Sequence, residues 1–220
     1  MSTYAQQILQ NQGRLDPDFI ALKKAEILRL LADYNGGLQE TDHTRRTTFE
    51  FGHSYHRLKK GDKRVEPMPR VLVELLVAAI EVLQPRADHP IPNAKAFKNC
   101  IISVYEQGDQ LEPHPDINET KPRMFAGGKK GGYYFGEDII SIIIEADDTG
   151  RLYFVEPGPK GRGKKDDSEI LPVDEQIGTV LLMSGDLRFA LNHGVTQLKP
   201  DRPRRRISLT FRTVEFTPNN

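Results

Sequence analysis

The stretch "RISLTFR", residues 206–212, has the alternation of a β-strand with two different faces. Successive side chains of a strand point to opposite sides, so Arg206 and Arg212, six positions apart, share a face with Ser208 and Thr210. The interleaved side chains face apolar packing: Ile207, Leu209 and Phe211. Arginines on a core strand are unusual unless an anion meets them. A dicarboxylate would suit them, because guanidinium groups bind carboxylates bidentately.

The second half of the chain is predicted to be rich in strands. From Asn99 onward the predicted strands are "NCIISVYEQG", "EDIISIIIEA", "GRLYFVEPG", "IGTVLLMSG", "DLRFALNHG" and "RRRISLTFRTVEF". The "DDTG" at residues 147–150 is a hairpin-turn signal. Two helices are predicted earlier, within residues 16–37 and 67–90. Helices first and strands later favour an α+β fold with an antiparallel sandwich or barrel over a parallel doubly wound sheet.

A candidate metal site lies within "LEPHPDINET", residues 111–120. His114 and Asp116 stand two places apart, each beside a proline, a pattern that also occurs in solvated loops. His193, 77 positions beyond Asp116, lies at the end of a predicted strand. Two histidines and one carboxylate on a β scaffold form a facial triad that leaves three octahedral positions open, as in non-haem Fe(II) oxygenases.

The order of these residues resembles the AlkB-like 2-oxoglutarate- and Fe(II)-dependent dioxygenases. The matching elements are Ser103-x-Tyr105, His114-x-Asp116, His193, Arg206-x5-Arg212, and the segments "TTFEFGHSY", "EPMP" and "EDIISIII". The likeness covers residues 45–215 and implies a double-stranded β-helix, or jelly roll. A single domain of residues 1–220 is expected. Its parts would be an N-terminal helical extension (1–44), a substrate-facing hairpin with its supporting helix (45–98) and the β-helix core (99–215).

The resemblance also implies cofactors and residue roles. His114, Asp116 and His193 would be the catalytic Fe(II) ligands, and 2-oxoglutarate and O2 would be the co-substrates. Arg206 and Tyr105 would bind the 5-carboxylate of 2-oxoglutarate. Arg212 would lie near its 1-carboxylate, together with Ser103, which stands where the family usually has asparagine.

The implied activity is oxidative removal of N-methyl groups from DNA or RNA bases, as in DNA repair or RNA demethylation. The base would be single-stranded or flipped out of a duplex. The chain has no tryptophan, and Arg46 occupies the position where repair enzymes often present one. His53 and Tyr55 are candidates for stacking or phosphate contacts. Two basic stretches, residues 56–64 and 199–206, could contact phosphate.

Composition keeps other functions open. The formal net charge is +0, which argues against coating nucleic acid or membrane through bulk charge. The same oxygenase core could act on a protein side chain or small molecule, and a non-catalytic β-barrel binding module is a third alternative.

The same composition favours a reducing compartment. A single cysteine, no spanning apolar run and no signal-peptide layout predict an intracellular monomer, in cytoplasm or nucleus, with no membrane contact. The Gly- and Lys-rich segments 118–134 and 156–176 are expected to be mobile insertions that could close over the substrate.

Overall fold

The computed structural model consists of two antiparallel β-sheets braced by helices. It describes residues 3–34, 46–54, 66–116, 123–124, 132–147, 150–161, 163–199 and 205–217. This arrangement confirms the predicted α+β class with a jelly-roll core. None of the helices in these ranges has the length and apolar character needed to cross a membrane.

In the described ranges, four α-helices flank the sheets: α1 (Thr3–Gln10), α2 (Pro17–Ala32), α3 (Arg70–Leu83) and α4 (Gly185–Phe189). The α2 helix begins where predicted, because the Asp16 carboxylate accepts hydrogen bonds from the N–H groups of Asp18 and Phe19, both at 2.9 Å. The α3 helix buries an apolar stripe in the main core beside the large sheet.

The large sheet holds β1 (Gln12–Arg14), β2 (Thr47–Gly52), β3 (Phe97–Tyr105), β5 (Arg123–Met124), β6 (Gly132–Glu145), β9 (Thr179–Met183) and β11 (Arg206–Phe216). Its order is β1-β9-β6-β11-β3-β2, with β5 paired to β6. The small sheet holds β4 (Leu111–His114), β7 (Leu152–Val155), β8 (Leu171–Pro172) and β10 (Asn192–Val195), in the order β4-β10-β7-β8.

Strand β11 lies in the middle of the large sheet and separates core from cavity. Ile207, Leu209 and Phe211 are fully buried in the main core, as the alternation predicted. Arg206 and Arg212 lie on the opposite face and line a cavity between the sheets. The division of the two faces is therefore confirmed.

Two local predictions are wrong. The "DDTG" signal does not close a hairpin, because β6 pairs with β9 and β11 in the large sheet while β7 pairs with β10 and β8 in the small one. The chain passes between sheets there. Residues 186–194 were predicted as one strand, but α4 occupies 185–189 and only Asn192–Val195 is extended. The helix buries Leu187, whose alternation with Phe189 resembles a strand.

The N-terminal extension is not purely helical. Strand β1 pairs antiparallel with β9, and its Gly13 lies opposite Val180. The expectation of a mobile insertion is also wrong for the second half of 156–176, where Leu171 and Val173 are buried. Most of 118–134 lies outside the described residues.

Candidate active site

A small cavity lies between the two sheets. Its walls come from β3, β6, β9 and β11 of the large sheet, from β4, β7 and β10 of the small sheet, and from Arg46 just before β2. Every described residue that the sequence nominated for the metal or the co-substrate lines this cavity. Polar side chains from distant parts of the chain therefore converge on one space.

The metal ligands predicted from the sequence come together in this cavity. His114 ends β4 and lies directly opposite His193 of β10 in the antiparallel register. Asp116 follows two residues after His114 and is 4% exposed. One ligand atom from each residue lies within 4.8 Å of the other two. This cluster is compact enough for a single ion.

The protonation states suit metal binding. Burial lowers the pKa of His193 to about 3 and also lowers that of His114, so both imidazoles are neutral near pH 7. Burial alone would raise the pKa of Asp116, but Arg212 and the other basic groups around it together outweigh that effect and hold the pKa of Asp116 well below its ordinary value. Two neutral imidazoles and a carboxylate are a donor set that fits Fe(II).

Arg212 is bound to one of the candidate metal ligands. Its Nη2 donates to Asp116 Oδ1 at 3.3 Å, and its Nη1 donates to Asn99 Oδ1, also at 3.3 Å. The Asn99 amide donates in turn to Glu50 Oε1 at 3.1 Å. Arg212 therefore orients Asp116, while its contact with the 1-carboxylate of the co-substrate stays a prediction.

Arg206 forms a second buried ion pair. Its Nε and Nη2 donate to the two carboxylate oxygens of Glu175 at 3.0 and 2.7 Å, and its Nη1 donates to Ser208 Oγ at 2.9 Å. Burial opposes the charge of Arg206, but the Glu175 carboxylate outweighs that effect and raises the pKa of Arg206. The guanidinium is thus fixed in position, and the Glu175 carboxylate balances its charge.

Glu175, the partner of Arg206, is a residue of the candidate site that sequence reasoning missed. It lies in the segment interpreted as a mobile insertion, and it is 5% exposed. A signal was available, because Leu171, Val173 and Glu175 recur at every second position, the spacing of inward-facing side chains in an extended segment.

Tyr105 lies between two guanidinium groups. It sits opposite Arg206 in the pairing of β3 with β11, and its ring centroid is 5.2 Å from the Arg206 guanidinium carbon and 5.6 Å from that of Arg46. Arg46 Nη1 donates to the Tyr105 hydroxyl at 2.5 Å. Ser103, two residues before Tyr105, also lines the cavity.

The remaining substrate candidates lie elsewhere. His53 is not part of the cavity lining, and its ring packs edge-on against Tyr133 and Phe216, with centroids 5.0 and 5.3 Å away. Tyr55 lies outside the described residues. The substrate contacts expected of these two residues stay predictions.

Comparison with known proteins agrees with this chemistry. The sequence model of the 2OG-Fe(II) oxygenase superfamily matches residues 37–212. RNA demethylase ALKBH9B of Arabidopsis thaliana is 26% identical over 189 residues, which cover 79% of this chain. They cover 32% of the ALKBH9B sequence, so the chain spans about a third of that relative's length.

Solved structures share the fold. The epimerase SnoN in complex with Fe3+, alpha ketoglutarate and nogalamycin RO superimposes with a TM-score of 0.56 at 15% identity, covering 98% of this chain and 85% of SnoN. A Pseudomonas putida prolyl-4-hydroxylase gives a TM-score of 0.52 at 16% identity, covering 92% of this chain and 90% of the hydroxylase. At these identities the likeness concerns the fold alone.

Proposed function

Since this chain belongs to the 2OG-Fe(II) oxygenase superfamily and is an AlkB-like Fe(II)- and 2-oxoglutarate-dependent dioxygenase, we propose that it removes N-methyl groups from nucleic-acid bases. RNA is the favoured substrate class. The observation that carries the proposal is the His114, Asp116 and His193 cluster inside an arginine-lined cavity. Similarity to an RNA demethylase supports the choice of substrate.

The chain's residues hold and orient the reactants. His114, Asp116 and His193 would hold the iron, and Arg212 keeps the Asp116 carboxylate in place. When bound, iron with 2-oxoglutarate and O2 supplies C–H hydroxylation, in which the co-substrate becomes succinate and carbon dioxide. A methyl group on nitrogen hydroxylated in this way is lost as formaldehyde. The protein needs no acid–base pair at the carbon, because its task is to position the C–H bond.

Nucleic-acid contact would come from the side of the cavity at Arg46, just before β2. A base in a duplex must be flipped out to reach a buried metal, which costs unpairing and unstacking energy. A base in a single strand is already unpaired. The basic stretch 56–64 and most of 199–206 lie outside the described residues. Within the described part of the second stretch, Arg205 is engaged with Glu145 at 3.0 Å.

A second candidate keeps the same oxygenase core but a different substrate. The formal net charge of +0 and the absence of tryptophan favour a protein side chain or small molecule over a polyanion. The third alternative, a non-catalytic binding module, disagrees with the family membership and the complete ligand set.

The test is incubation with oligonucleotides that carry N1-methyladenine, N3-methylcytosine or N6-methyladenine. RNA and DNA, single- and double-stranded, are compared by mass spectrometry for loss of a methyl group. We expect Fe(II)-dependent loss, greatest on single-stranded RNA, and none with His114→Ala. Iron-dependent turnover of 2-oxoglutarate without methyl loss from any oligonucleotide would shift the assignment to the second candidate.

A further inference from the structure

A second pocket, of about 430 Å³, lies apart from the candidate active site. Its lining comes from the end of α1, the segment after α3, one residue of β6 and the loop between β9 and α4. No described residue lines both this α1 pocket and the cavity between the sheets. Its volume falls within the range of small-molecule sites, about 300–1,000 Å³.

The α1 helix presents side-chain amides to the α1 pocket. Gln7 and Gln10 are three positions apart, and Asn11 is the first residue after the helix, so the three share one helix face. The main chain of Asn11 is fixed, because its N–H donates to Gln7 O and its C=O accepts from the Leu182 N–H, both at 2.9 Å. The Asn11 amide is therefore held at the pocket wall by β9.

Two polar side chains of the α1 pocket are buried without a partner. Asn11 is 9% exposed and Ser184 is 8% exposed. Within the described part of the chain, neither side chain makes a hydrogen bond. The Gln7 Oε1 atom is also buried and has no partner in the described ranges. Because buried polar groups are normally hydrogen-bonded, these groups around one pocket point to a ligand that bonds to them.

The rest of the lining is acidic. Three carboxylates line the α1 pocket, those of Asp88, Glu137 and Asp186, and the basic side chain among the described lining residues is His89. His89 is already engaged, with Nδ1 2.7 Å from Asp88 Oδ1 and Nε2 2.8 Å from Asp138 Oδ1. Glu137 and Asp186 form no ion pair with any described residue. The pocket therefore has two carboxylates for which a ligand could supply the positive charge.

The arrangement favours an organic cation over a metal ion. A metal ion needs ligand atoms packed closely around it, and His114, Asp116 and His193 are the one such group among the described residues. The acceptors of the α1 pocket are instead spread around a larger space and include neutral amide and hydroxyl oxygens. An ammonium group has three N–H donors and no acceptor, which suits such a lining.

We propose that the α1 pocket binds a small aliphatic polyamine. Two of its ammonium groups would be met by the unpaired carboxylates of Glu137 and Asp186. Its N–H groups would donate to the buried side-chain oxygens of Gln7, Asn11 and Ser184. This site goes beyond the proposed function and does not depend on the reaction at the metal.

The experiment measures binding of spermidine to the full chain by calorimetry, at an ionic strength of about 0.15 M, where exposed charges are screened. Wild type should bind spermidine at one saturable site. Glu137→Gln should weaken binding about tenfold, the size expected for loss of a charged hydrogen bond, and Ser184→Ala about fivefold. Thermal melting should show that every variant is folded.

Glu106→Gln is the matched control, because Glu106 is exposed directly after β3 and lines neither cavity. This variant should bind spermidine like wild type. If it weakened binding as much as Glu137→Gln, the attraction would come from general charge and the inference would be wrong.

Three other results would also overturn the inference. Wild type could show no saturable binding of spermidine, or Mg²⁺ could displace spermidine and bind more tightly, which would make the pocket a metal site. A lysine-containing peptide could bind where spermidine does not, which would assign the pocket to a protein side chain. None of these results involves turnover of 2-oxoglutarate, so failure here would leave the proposed function unaffected.

Discussion

Glu175 accepts two hydrogen bonds from the guanidinium of Arg206, at 2.7 and 3.0 Å, and the two side chains are 3% and 2% exposed. The carboxylate also accepts from the Leu152 N–H at 3.1 Å. One acidic side chain thus joins the segment before β9, the central strand β11 and the start of β7. The ion pair holds the two sheets together at the cavity.

Glu175→Gln should lower the free energy of unfolding by about 3 kcal/mol, because it leaves the Arg206 charge buried without its partner. Urea denaturation followed by circular dichroism measures the change. Glu156→Gln is the control, since Glu156 pairs with Lys165 at the exposed surface and should change stability little. If both variants lost the same free energy of unfolding, the buried ion pair would stabilise the protein no more than the exposed one.

His114→Gln should weaken Fe(II) binding by more than about 100-fold, since even the loss of a residue that supports a ligand costs 10–100-fold. Anaerobic calorimetry with Fe(II) gives the affinity directly. His89→Gln makes the same chemical change outside the cavity and should leave the affinity unchanged. Retention of tight binding by His114→Gln would exclude the triad.

His89 should make stability depend on pH. Hydrogen bonding to Asp88, and further to Asp138, raises the pKa of His89 above its ordinary 6.5 despite partial burial. The stabilisation is then fully present below pH 6.5 and is lost as pH rises through the folded-state pKa. His89→Gln should therefore cost more stability at about pH 5.5 than at about pH 8.5.

His53 should change stability with pH in the opposite direction to His89, because burial lowers the pKa of His53. Its contribution is present above pH 6.5 and falls as pH drops, so His53→Gln should reduce acid sensitivity. Urea midpoints of both variants across the pH range measure the two slopes. Parallel slopes in the two variants would contradict the assignment of these shifts.

Gly52→Ala should destabilise the end of β2. Gly52 has a φ of 84°, and a Cβ there would collide with the backbone carbonyl of Lys98. Gly108 has a φ of 83° but nothing within 4 Å, so Gly108→Ala isolates the cost of the left-handed conformation, about 1–2 kcal/mol. Thermal melting should place Gly52→Ala well below Gly108→Ala, and similar melting temperatures would show that the backbone relaxes.

Sequence reasoning placed the candidate metal ligands and the two arginines together because strand alternation determines which side chains share a face. Arg206 and Arg212 follow that rule through β11, and His114 and His193 occupy strand ends that meet in register. The order of the motifs along the chain indicated the resemblance to the AlkB-like dioxygenases, and with it the expected roles of these residues.

The predictions that were wrong, and the contact that was not predicted, also have physical explanations. A turn signal such as "DDTG" reports a local reversal, and the same residues serve a passage between sheets. Residues 186–189 alternate like a strand yet form a helical turn that buries Leu187. Glu175 and Arg206 are 31 positions apart in the sequence. Local sequence patterns do not predict a contact between residues so far apart.

Strand β1 has a consequence for any shortened form of the chain. It occupies the outer side of β9, where Gln12, Gly13 and Arg14 pair with Leu181, Val180 and Thr179. Removing the first 15 residues would leave β9 as an open border with unsatisfied N–H and C=O groups, a template for strand addition by a neighbouring molecule. Such a truncation should aggregate even though the catalytic cavity keeps every one of its predicted ligands.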